Sequence, residues 1–589
     1  LKLNNSLSPD SLTEFIPIEG RRVNWYMCGP TVYSDSHLGH AKTYLCFDTI
    51  RKIMVRHFKY EVYQVMNITN IDDKIIKLAM EQNKNFLEIA NFWEEDFLEI
   101  LKTLDIDMPD TITRVTDFVP EIVEFIEKII KNGYAYESNG SVYFDVKSFG
   151  ESKNHSYPKL KPNAAKSAEE NPELTDNVFL KEKRNATDFA LWKKIKMEGE
   201  PSWDSPWGKG RPGWHIECSA MCGFTFKDSC IDMHSGGDDL KFPHHDNELA
   251  QSEGFFECSQ WINYFLHTGR LDIKGEKMSK SLKNFTKIKD VLTLVSPRIL
   301  RIFYSQTRYD NVLNYDPSSE FQQAKDIDFK IQEFYKSTNY YLRNSIKTIM
   351  AQSQKIQKDE HSLIDTILKI RGQVNDAFCD NFNTPKVFVL MGELINLINS
   401  YIKENKETSK YVIIKQAQDL VSDTLYSMGI SYVSNSNESS KKDEETSKII
   451  DEPVECRKNI KEFAKKEDYK NILMLCDQLR DSKMIVHGIE IEDQDQNSIW
   501  KKSTHEEIIN KRKEIEKNKT KKVKPEVKEV ANPLDMWKED KKYKHYKIDA
   551  EGLPFETDKG VPISEKDKAY CVKKLKEQKE LYEKYMSTK

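Results

Sequence analysis

Apolar residues in the first part of the chain form two short uninterrupted runs, each followed by a stretch with helical spacing. The run over 22–28 precedes a helical pattern over 36–56, and the run over 60–68 precedes one over 73–101. Two successive strand-to-helix units predict a parallel, doubly wound sheet. Because ligands of such sheets bind beyond the carboxyl ends of the strands, the loop after each run is a candidate site.

The next part of the chain has a mixed pattern between about 105 and 205. A helical stretch near 117–132 is followed by a β-like stretch over 141–146 and by a polar segment over 150–186. This pattern is typical of an insertion into the sheet domain.

The strand-and-helix pattern then resumes. It predicts a strand at 230–233, a turn at Gly236 and Gly237, a helix from Pro243 and a strand at 261–267. Beyond about 291 the periodicity is helical and predicts a bundle. The clearest of these helical stretches are 318–341, 361–378, 384–403 and 410–427.

The composition does not indicate a function, but it limits how the protein could bind a nucleic acid. The formal net charge is −5, so a nucleic-acid partner would have to be bound by local basic patches. One such patch is the Lys-rich run 511–530, which fits a solvated helix or linker as well as an RNA contact. The Ser/Glu/Lys tract 433–452 predicts a disordered loop.

The lack of a recognisable targeting signal and the small number of cysteines predict a soluble, intracellular protein. No apolar run approaches the length of a spanning helix, and the first twenty residues lack the layout of a secretory signal. Ten cysteines are too few for a disulfide scaffold in 589 residues, so we expect them reduced, buried or metal-bound. The chain opens with Leu1 rather than Met, which indicates numbering that starts inside a longer protein.

The first candidate motif, HLGH, follows the first strand. His37 and His40 are three residues apart and share a face of a helical turn, and Gly39 leaves room for a flat ring. Two imidazoles at a helix N-terminus suit a polyphosphate. The spacing alone also fits helix caps, surface groups or metal ligands.

The second candidate motif is KMSKS, in a Gly-bounded loop some 240 residues later. Lys277 and Lys280 on a mobile loop could neutralise charge that develops on a transferring phosphate. Lys- and Ser-rich loops are common, so the motif gains its value from its pairing with HLGH.

Together the two motifs resemble the class I aminoacyl-tRNA synthetases. Four segments narrow the resemblance to the cysteinyl-tRNA synthetase family: MCGPTVYSDSHLGHAKTY, MNITNIDDKIIK, GKGRPGWHIECSAM and GGDDLKFPHHDNELAQSE. The resemblance covers most of residues 20–500. The tail from KYKHYKIDAEGLPFETDKG onward is similar to the C-terminal extension of eukaryotic cytosolic members, which implies a cytoplasmic protein.

The resemblance implies an α/β fold: a Rossmann-like, doubly wound parallel-sheet catalytic domain with an inserted mixed domain, followed by an α-helical bundle. The implied domains are a catalytic domain in two halves (1–100 and 206–290), an inserted connective domain (101–205), a stem-contact helical junction (291–340), a helical anticodon-binding domain (341–500) and a charged C-terminal extension (501–589).

Cysteine and histidine spacing leaves the metal ligands open. His244 and Glu248 are four apart on a predicted helix and can face one point, but Cys218 with Cys222, or His244 with His245, would compete. The resemblance selects one set, and the ligands it implies are Cys28, Cys218, His244 and Glu248. The shape of a pocket alone discriminates cysteine from serine only about 10²-fold. One Zn²⁺ per chain bound there would separate them, because zinc binds a thiolate far more readily than a hydroxyl group.

The implied reaction joins L-cysteine to tRNA(Cys). The cysteine carboxylate attacks the α-phosphate of ATP, which Mg²⁺ accompanies, and the adenylate then passes its acyl group to a terminal ribose hydroxyl of the tRNA. The catalytic residues implied are His37, His40, Lys277 and Lys280. ATP would contact Gly39, Gly236, Gly237, Asp239, His267 and Lys280, and cysteine would contact Gly29, Thr31, Thr69, Trp214 and His215.

Several points stay open at this stage. His234 and Asp232 could orient substrate or make ordinary core hydrogen bonds, and Trp500 or Arg480 could stack on anticodon bases or pack in the bundle.

Two rival functions share the motifs: a ligase that joins cysteine to an amino sugar, as mycothiol-pathway relatives do, and a catalytically silent RNA-binding scaffold. Both a monomer and a homodimer are compatible with the sequence, and no membrane partner is expected.

Overall fold

A computed structural model gives the structure of the protein. The residues that it describes are 1–164, 181–197, 199–227, 230–278, 284–319, 321–349, 355–405, 408–432, 477, 480–481, 489–494, 497–503, 507, 510–511, 532–538 and 540–588. They belong to two compact units, Leu1–Glu444 and Glu445–Lys589. The tract 433–452, Lys280 and all of the run 511–530 except Lys511 lie outside the described residues.

Helices and strands alternate in the first unit before helices take over. The helices are α1 (Leu38–Lys52), α2 (Asp73–Gln82), α3 (Phe86–Thr103), α4 (Val119–Lys131), α5 (Val146–Glu151), α6 (Trp214–Phe226), α7 (Asp246–Phe256), α8 (Ile288–Leu292), α9 (Pro297–Ser305), α10 (Gln322–Ile349), α11 (Lys358–Cys379), α12 (Thr384–Asn405), α13 (Tyr411–Ser427) and α14 (Glu565–Thr588). The strands are β1 (Lys2–Leu3), β2 (Thr13–Glu14), β3 (Arg22–Met27), β4 (Glu61–Ile68), β5 (Thr111–Arg114), β6 (Ala135–Ser138), β7 (Ser141–Phe144), β8 (Phe189–Lys194), β9 (Gly210–Pro212), β10 (Ile231–Gly237), β11 (Ile262–Thr268), β12 (Leu271–Ile273), β13 (Glu276–Lys277), β14 (Leu313–Tyr315), β15 (Ile489–Gln494), β16 (Asn497–Lys502), β17 (Tyr546–Ile548) and β18 (Pro554–Thr557).

A five-stranded parallel sheet lies at the centre of the first unit, in the order β11-β10-β3-β4-β5. The residues of β10 are almost all buried, as expected for a strand covered on both faces. From β3 the chain continues outward to β4 on one side, and β10 lies on the other. The order reverses between β3 and β10, and such a switch point opens a crevice at the carboxyl ends of the strands. The predicted doubly wound sheet is confirmed.

Smaller sheets surround the central one. An antiparallel sheet in the order β6-β7-β8-β9 comes from the part of the chain between β5 and α6. The hairpin of β12 and β13, which leads into the second motif, pairs with β14. In the second unit, β15 pairs with β16 and β17 with β18. Among the described residues, no helix has the length and apolar character needed to cross a membrane.

The helical pattern predicted over 73–101 forms two helices instead of one. Asn83 ends α2 in the left-handed conformation, with φ of 50°, and Asn85 begins α3 by accepting a hydrogen bond from the backbone N–H of Leu87. Asparagine is well suited to both positions, because it tolerates positive φ and its side chain caps helices. The turn predicted at Gly236 and Gly237 lies one residue further along the chain. Both glycines belong to the end of β10, and the chain turns from Asp238.

A buried ion cluster fixes the C-terminal half of α1. The Asp48 carboxylate accepts from Lys52 Nζ at 2.5 Å and lies 2.5 Å from the guanidinium of Arg301 on α9, and all three side chains are almost fully buried. Burial opposes ionisation of Asp48, but the two cations outweigh it and lower its pKa. Its contribution to stability is therefore complete above about pH 4 and is lost as the pH falls towards the depressed pKa.

We expect Asp48→Asn to destabilise the protein by about 3–5 kcal/mol, because it removes the buried anion beside Arg301 and one of the two carboxylates beside Lys52. The measurement is the free energy of unfolding by chemical denaturation at neutral pH. The matched control is Glu81→Gln, which removes the anion of another i,i+4 pair, Lys77 with Glu81, that is exposed to solvent. It should change the free energy of unfolding very little, and equal effects of the two changes would contradict this account.

Candidate functional site

A cavity of about 320 Å³ opens at the carboxyl ends of the central strands, at the switch point of the sheet. It is bordered by many of the residues predicted from sequence: Cys28, Gly29, Thr31, His37, His40, Thr69, Trp214, Cys218, Gly237, Asp239 and His244. Gly39, His215, Gly236, Glu248 and His267 lie outside this lining, in contact with residues described below. The side chain of Lys277 and all of Lys280 fall outside the described residues.

The HLGH segment forms the N-terminus of α1. The imidazole of His37 accepts a hydrogen bond from the backbone N–H of His40, and that of His40 accepts one from His37, each at 3.4 Å. The two rings stack with their centroids 3.8 Å apart. The prediction that the two histidines share one face of a helical turn is therefore confirmed, and both border the cavity.

The start of the KMSKS motif lies next to the HLGH motif in the fold. A Cβ atom at Gly39 would come within 2.9 Å of the Met278 side chain, so the glycine lets the second segment approach α1 closely. On the other side of the KMSKS loop, the backbone N–H of Leu38 donates to Thr286 at 3.0 Å. The fold thus brings both ends of that loop to the start of α1.

Lys42, one turn into α1, was not singled out by the sequence. Its ammonium group is buried and donates to the carbonyl oxygens of Gly269 and Asn311 at 2.5 and 2.6 Å. A Cβ atom at Gly269 would come within 2.2 Å of the Asn311 backbone, so only glycine fits there. These contacts hold α1 against the connection between β11 and β12.

Four side chains converge at one end of the cavity. The sulfur atoms of Cys28 and Cys218 are 3.9 Å apart, and Cys28 Sγ lies 3.6 Å from Glu248 Oε1. The same carboxylate oxygen is 2.9 Å from His244 Nε2. All four residues are buried, and their potential ligand atoms lie within 4.8 Å of one another, which is close enough for a single metal ion. Two thiols, an imidazole and a carboxylate form a donor set that zinc accepts.

The cluster is ionised in a definite way. Burial opposes the charge on Glu248, but His234 and His244 outweigh it and lower its pKa to about 2. Burial likewise opposes ionisation of Cys218, yet hydrogen bonding to Cys28 and the charge of His244 hold its pKa at about 6. Burial raises the pKa of Cys28. These shifts favour the carboxylate form of Glu248 and the thiolate form of Cys218, which are the forms that bind a metal ion.

Further histidines lie around the cluster, and a second possible ligand group overlaps the first. Cys28 and Glu248 also lie within 4.8 Å of ligand atoms of His234 and His245. His234 Nε2 is 2.8 Å from Glu248 Oε2. Gly236 makes room for His245, because a Cβ atom there would come within 2.7 Å of its ring. His234 is fully buried and lies outside the cavity lining, so this contact is a buried hydrogen bond that orients the Glu248 carboxylate.

A chain of hydrogen bonds continues from His245 to the N-terminal segment. His245 Nδ1 is 2.7 Å from His267 Nε2, and His267 Nδ1 is 2.8 Å from Ser6 Oγ. Burial lowers the pKa of both imidazoles well below the usual value, so both are neutral. Both ring nitrogens of His267 are thus engaged within the protein. No local pattern points to Ser6, because its contact with His267 spans 261 residues.

The wall of the cavity next to the cluster is aromatic. The Trp214 ring stacks on His244 at 4.6 Å between centroids and remains partly exposed. His215 is buried behind it, with Nδ1 3.0 Å from His244 Nδ1, and burial lowers its pKa well below the usual value. On this side His244 lies between a partly exposed ring and a neutral imidazole.

A protein-family model and two named relatives match this chain. A family model described as the catalytic domain of class I (C) tRNA synthetases matches residues 14–326. The cytoplasmic cysteine–tRNA ligase of Dictyostelium discoideum is 42% identical over 535 residues, which cover 88% of this chain and 79% of that protein. The cysteine–tRNA ligase of Encephalitozoon cuniculi is 39% identical over 504 residues, covering 85% of this chain and 99% of the relative.

Solved structures with little sequence similarity share the fold. A putative arginyl-tRNA synthetase from Campylobacter jejuni is similar with a TM-score of 0.51 and 13% identity, over 70% of this chain and 94% of that one. Mycobacterium tuberculosis methionyl-tRNA synthetase in complex with methionyl-adenylate gives a TM-score of 0.51 at 14% identity, over 70% and 90% of the two chains.

We expect zinc to bind the group with two thiols, so Cys218→Ala should reduce zinc to well below one ion per chain. The matched control is Cys222→Ala, which removes a buried thiol one helical turn further on. His244→Ala should lose zinc in the same way, whereas His245→Ala should retain it. Zinc per chain is measured by elemental analysis after dialysis. Loss from the His245 variant with retention in the Cys218 and His244 variants would assign the metal to the second group.

Proposed function

Given that the chain belongs to the cysteine–tRNA ligase family of class I aminoacyl-tRNA synthetases, we propose that it joins L-cysteine to tRNA(Cys) through a cysteinyl-adenylate intermediate. The observation that supports this most directly is the proximity of a thiol-rich donor group to the HLGH helix around one cavity. An amino acid bound at the donor group would have its carboxylate near the residues suited to ATP. The names of the relatives support a cytoplasmic location.

The nucleotide would lie along the start of α1. His37 and His40 at the cavity edge are suited to contact the phosphates, and the helix N-terminus adds favourable electrostatics. Lys277 and Lys280 would stabilise charge that develops on the α-phosphate. Gly39, Gly236, Gly237 and Asp239 would border the adenosine, with Mg²⁺ bound to the phosphates of ATP. The cysteine carboxylate then attacks the α-phosphate and pyrophosphate leaves.

His267 has a different environment from the other proposed nucleotide residues. Its ring nitrogens bond to Ser6 and His245, and the residue is buried. We therefore propose that any contact of His267 with adenine is made through the ring edge or the backbone, while its nitrogens orient His245.

The amino acid would lie between the ends of β3 and β4 and the aromatic wall. Gly29, Thr31 and Thr69 border the cavity on one side and Trp214 on the other, and His215 supports His244 from behind. Cys28, Cys218, His244 and Glu248 would hold the metal, for which their donor atoms and ionisation are suited. Zinc bound there supplies a soft Lewis acid that accepts a thiolate far more readily than a hydroxyl group.

The acceptor is tRNA in this proposal, and the predicted anticodon-binding region, 341–500, would read its anticodon. The described part of that region includes Trp500, which is buried in the β15–β16 hairpin with Ile489 and Ile491. Its burial makes it a core residue of the hairpin and leaves base stacking to more exposed side chains. Arg480 lies among carboxylates, 3.0 Å from Asp477.

We expect the zinc-loaded protein to exchange labelled pyrophosphate into ATP when cysteine is present, without tRNA. Serine should support exchange with a kcat/KM more than about 100-fold lower, because a hydroxyl group is the poorer metal ligand and shape alone gives about that factor. A filter-binding assay of the labelled ATP that is formed measures the rate of exchange with cysteine and with serine. Equal exchange with serine would contradict the proposed selectivity, and no exchange by folded, zinc-loaded protein would contradict cysteine activation.

We expect purified tRNA(Cys) to be charged with cysteine and an unrelated purified tRNA not to be charged. Acid-gel electrophoresis of the tRNA or trapping of labelled cysteine on tRNA gives the measurement. Exchange without charging, together with transfer of cysteine to an amino sugar, would point to the rival ligase. Binding of tRNA with neither activity would point to a silent scaffold.

A further inference from the structure

The buried side chain of Asn67 bonds to the loop after β3 and to the loop after β4. We propose that Asn67 is a positioning residue for the cysteine pocket, which orients the Gly29 peptide and the Thr69 hydroxyl group towards the amino acid. The inference rests on the proposed function, since it concerns the same pocket. Asn67 is 1% exposed and lies at the carboxyl end of β4.

The backbones of the two loops are unusually close. A Cβ atom at Gly29 would lie 1.7 Å from the carbonyl oxygen of Asn67, so only glycine fits. Further along, Thr69 N–H donates to Pro30 at 3.1 Å and Val32 N–H donates to Thr69 at 3.2 Å. The loops therefore continue the parallel pairing of β3 and β4 beyond the ends of the strands, along the edge of the cavity.

The Asn67 side chain uses both ends of its amide in this contact. Its Oδ1 accepts from the Gly29 N–H at 2.9 Å, and its Nδ2 donates to Thr69 Oγ1 at 3.3 Å. Thr69 Oγ1 in turn donates to Glu217 Oε2 at 3.4 Å. An asparagine supplies an acceptor and a donor on one short planar group, so a single residue fixes the two neighbours in a definite relation.

The fixed Gly29 peptide also constrains the neighbouring Cys28. The Cys28 N–H donates to Ser235 on β10 at 3.0 Å, while the next N–H donates to Asn67 on β4. The chain at Cys28 is thus held between two strands, and its sulfur faces Cys218 and Glu248. Loss of the Asn67 amide would free the Gly29 side of this arrangement and leave a part-buried N–H without its acceptor.

Asn67→Ala tests the role, and Asn70→Ala is its matched control. Asn70 is a second buried asparagine three residues further on, and its amide bonds only to Thr116 among the hydrogen bonds found in the described chain, away from Gly29. Both zinc-loaded variants are assayed by pyrophosphate exchange, with cysteine and ATP varied separately, and by calorimetric titration with L-cysteine. Thermal denaturation of both variants records the general loss of stability.

For Asn67→Ala we expect the KM and the dissociation constant for cysteine to rise about 10- to 100-fold, as for loss of a residue that supports a ligand-binding group. The KM for ATP should stay within about twofold. Asn70→Ala should lower the melting temperature yet leave both KM values near those of the unmodified chain. A general effect on stability would not separate the two substrates in this way.

The inference is overturned if Asn67→Ala binds cysteine as tightly as the unmodified chain, or if its KM rises equally for cysteine and ATP. Should that variant fail to fold, Asn67→Asp decides the question. It keeps the acceptor for Gly29 but loses the donor to Thr69, so it should raise the cysteine KM by a smaller factor than the one expected for alanine, and an unchanged value overturns the inference. Absence of cysteine-dependent exchange in the unmodified chain overturns the proposed function instead.

Discussion

The site is arranged around one buried charge, the carboxylate of Glu248. The residue is fully buried, and an isolated carboxylate there would be unfavourable by many kcal/mol, so partners have to be supplied by other elements. His234 from β10 and His244 from the turn before α7 supply them, at 2.8 and 2.9 Å. The pairing with His234 fixes α7 against the central sheet. The two thiols that approach the same carboxylate come from the end of β3 and from α6, so one charge determines where four elements meet.

Close approach of backbones is the second requirement of this crevice. Gly29 packs against the Asn67 peptide, Gly236 against His245, and Gly39 against His37 and Met278. At each position a side chain would collide with groups that border or support the cavity. The glycines of the signature segments therefore have steric reasons that are independent of any direct contact with a substrate.

Periodicity and spacing predicted the elements better than the contacts between them. The strands at 22–28 and 60–68 and the helices of the bundle follow from local patterns of apolar residues, which report burial on one face or two. The break at Asn83 was missed because the apolar period continues across it, whereas the left-handed backbone of a single residue does not affect the period.

The possible sets of metal ligands could be narrowed to one only by the resemblance to a family. Spacing places His244 and Glu248 on one helical turn, but nothing local connects them to Cys28 or Cys218, which lie about 30 to 220 residues away. Lys42, Ser6 and Asn67 were missed for the same reason: each acts through partners from distant segments or through backbone groups that carry no residue-type signal. A site assembled from the ends of strands is a long-range property of the chain.

The contact between Ser6 and His267 also has a consequence for biosynthesis. Ser6 and β3 leave the ribosome early, but their partners in β11 and β10 are made about 200 residues later or more. A nascent chain of intermediate length would carry Cys28 without Cys218 or Glu248, and its first strand without the neighbour β10. Such high sequence separation slows folding and prolongs the time for which apolar strand edges stay uncovered. The crevice can therefore be completed only once β10, α7 and β11 have been made.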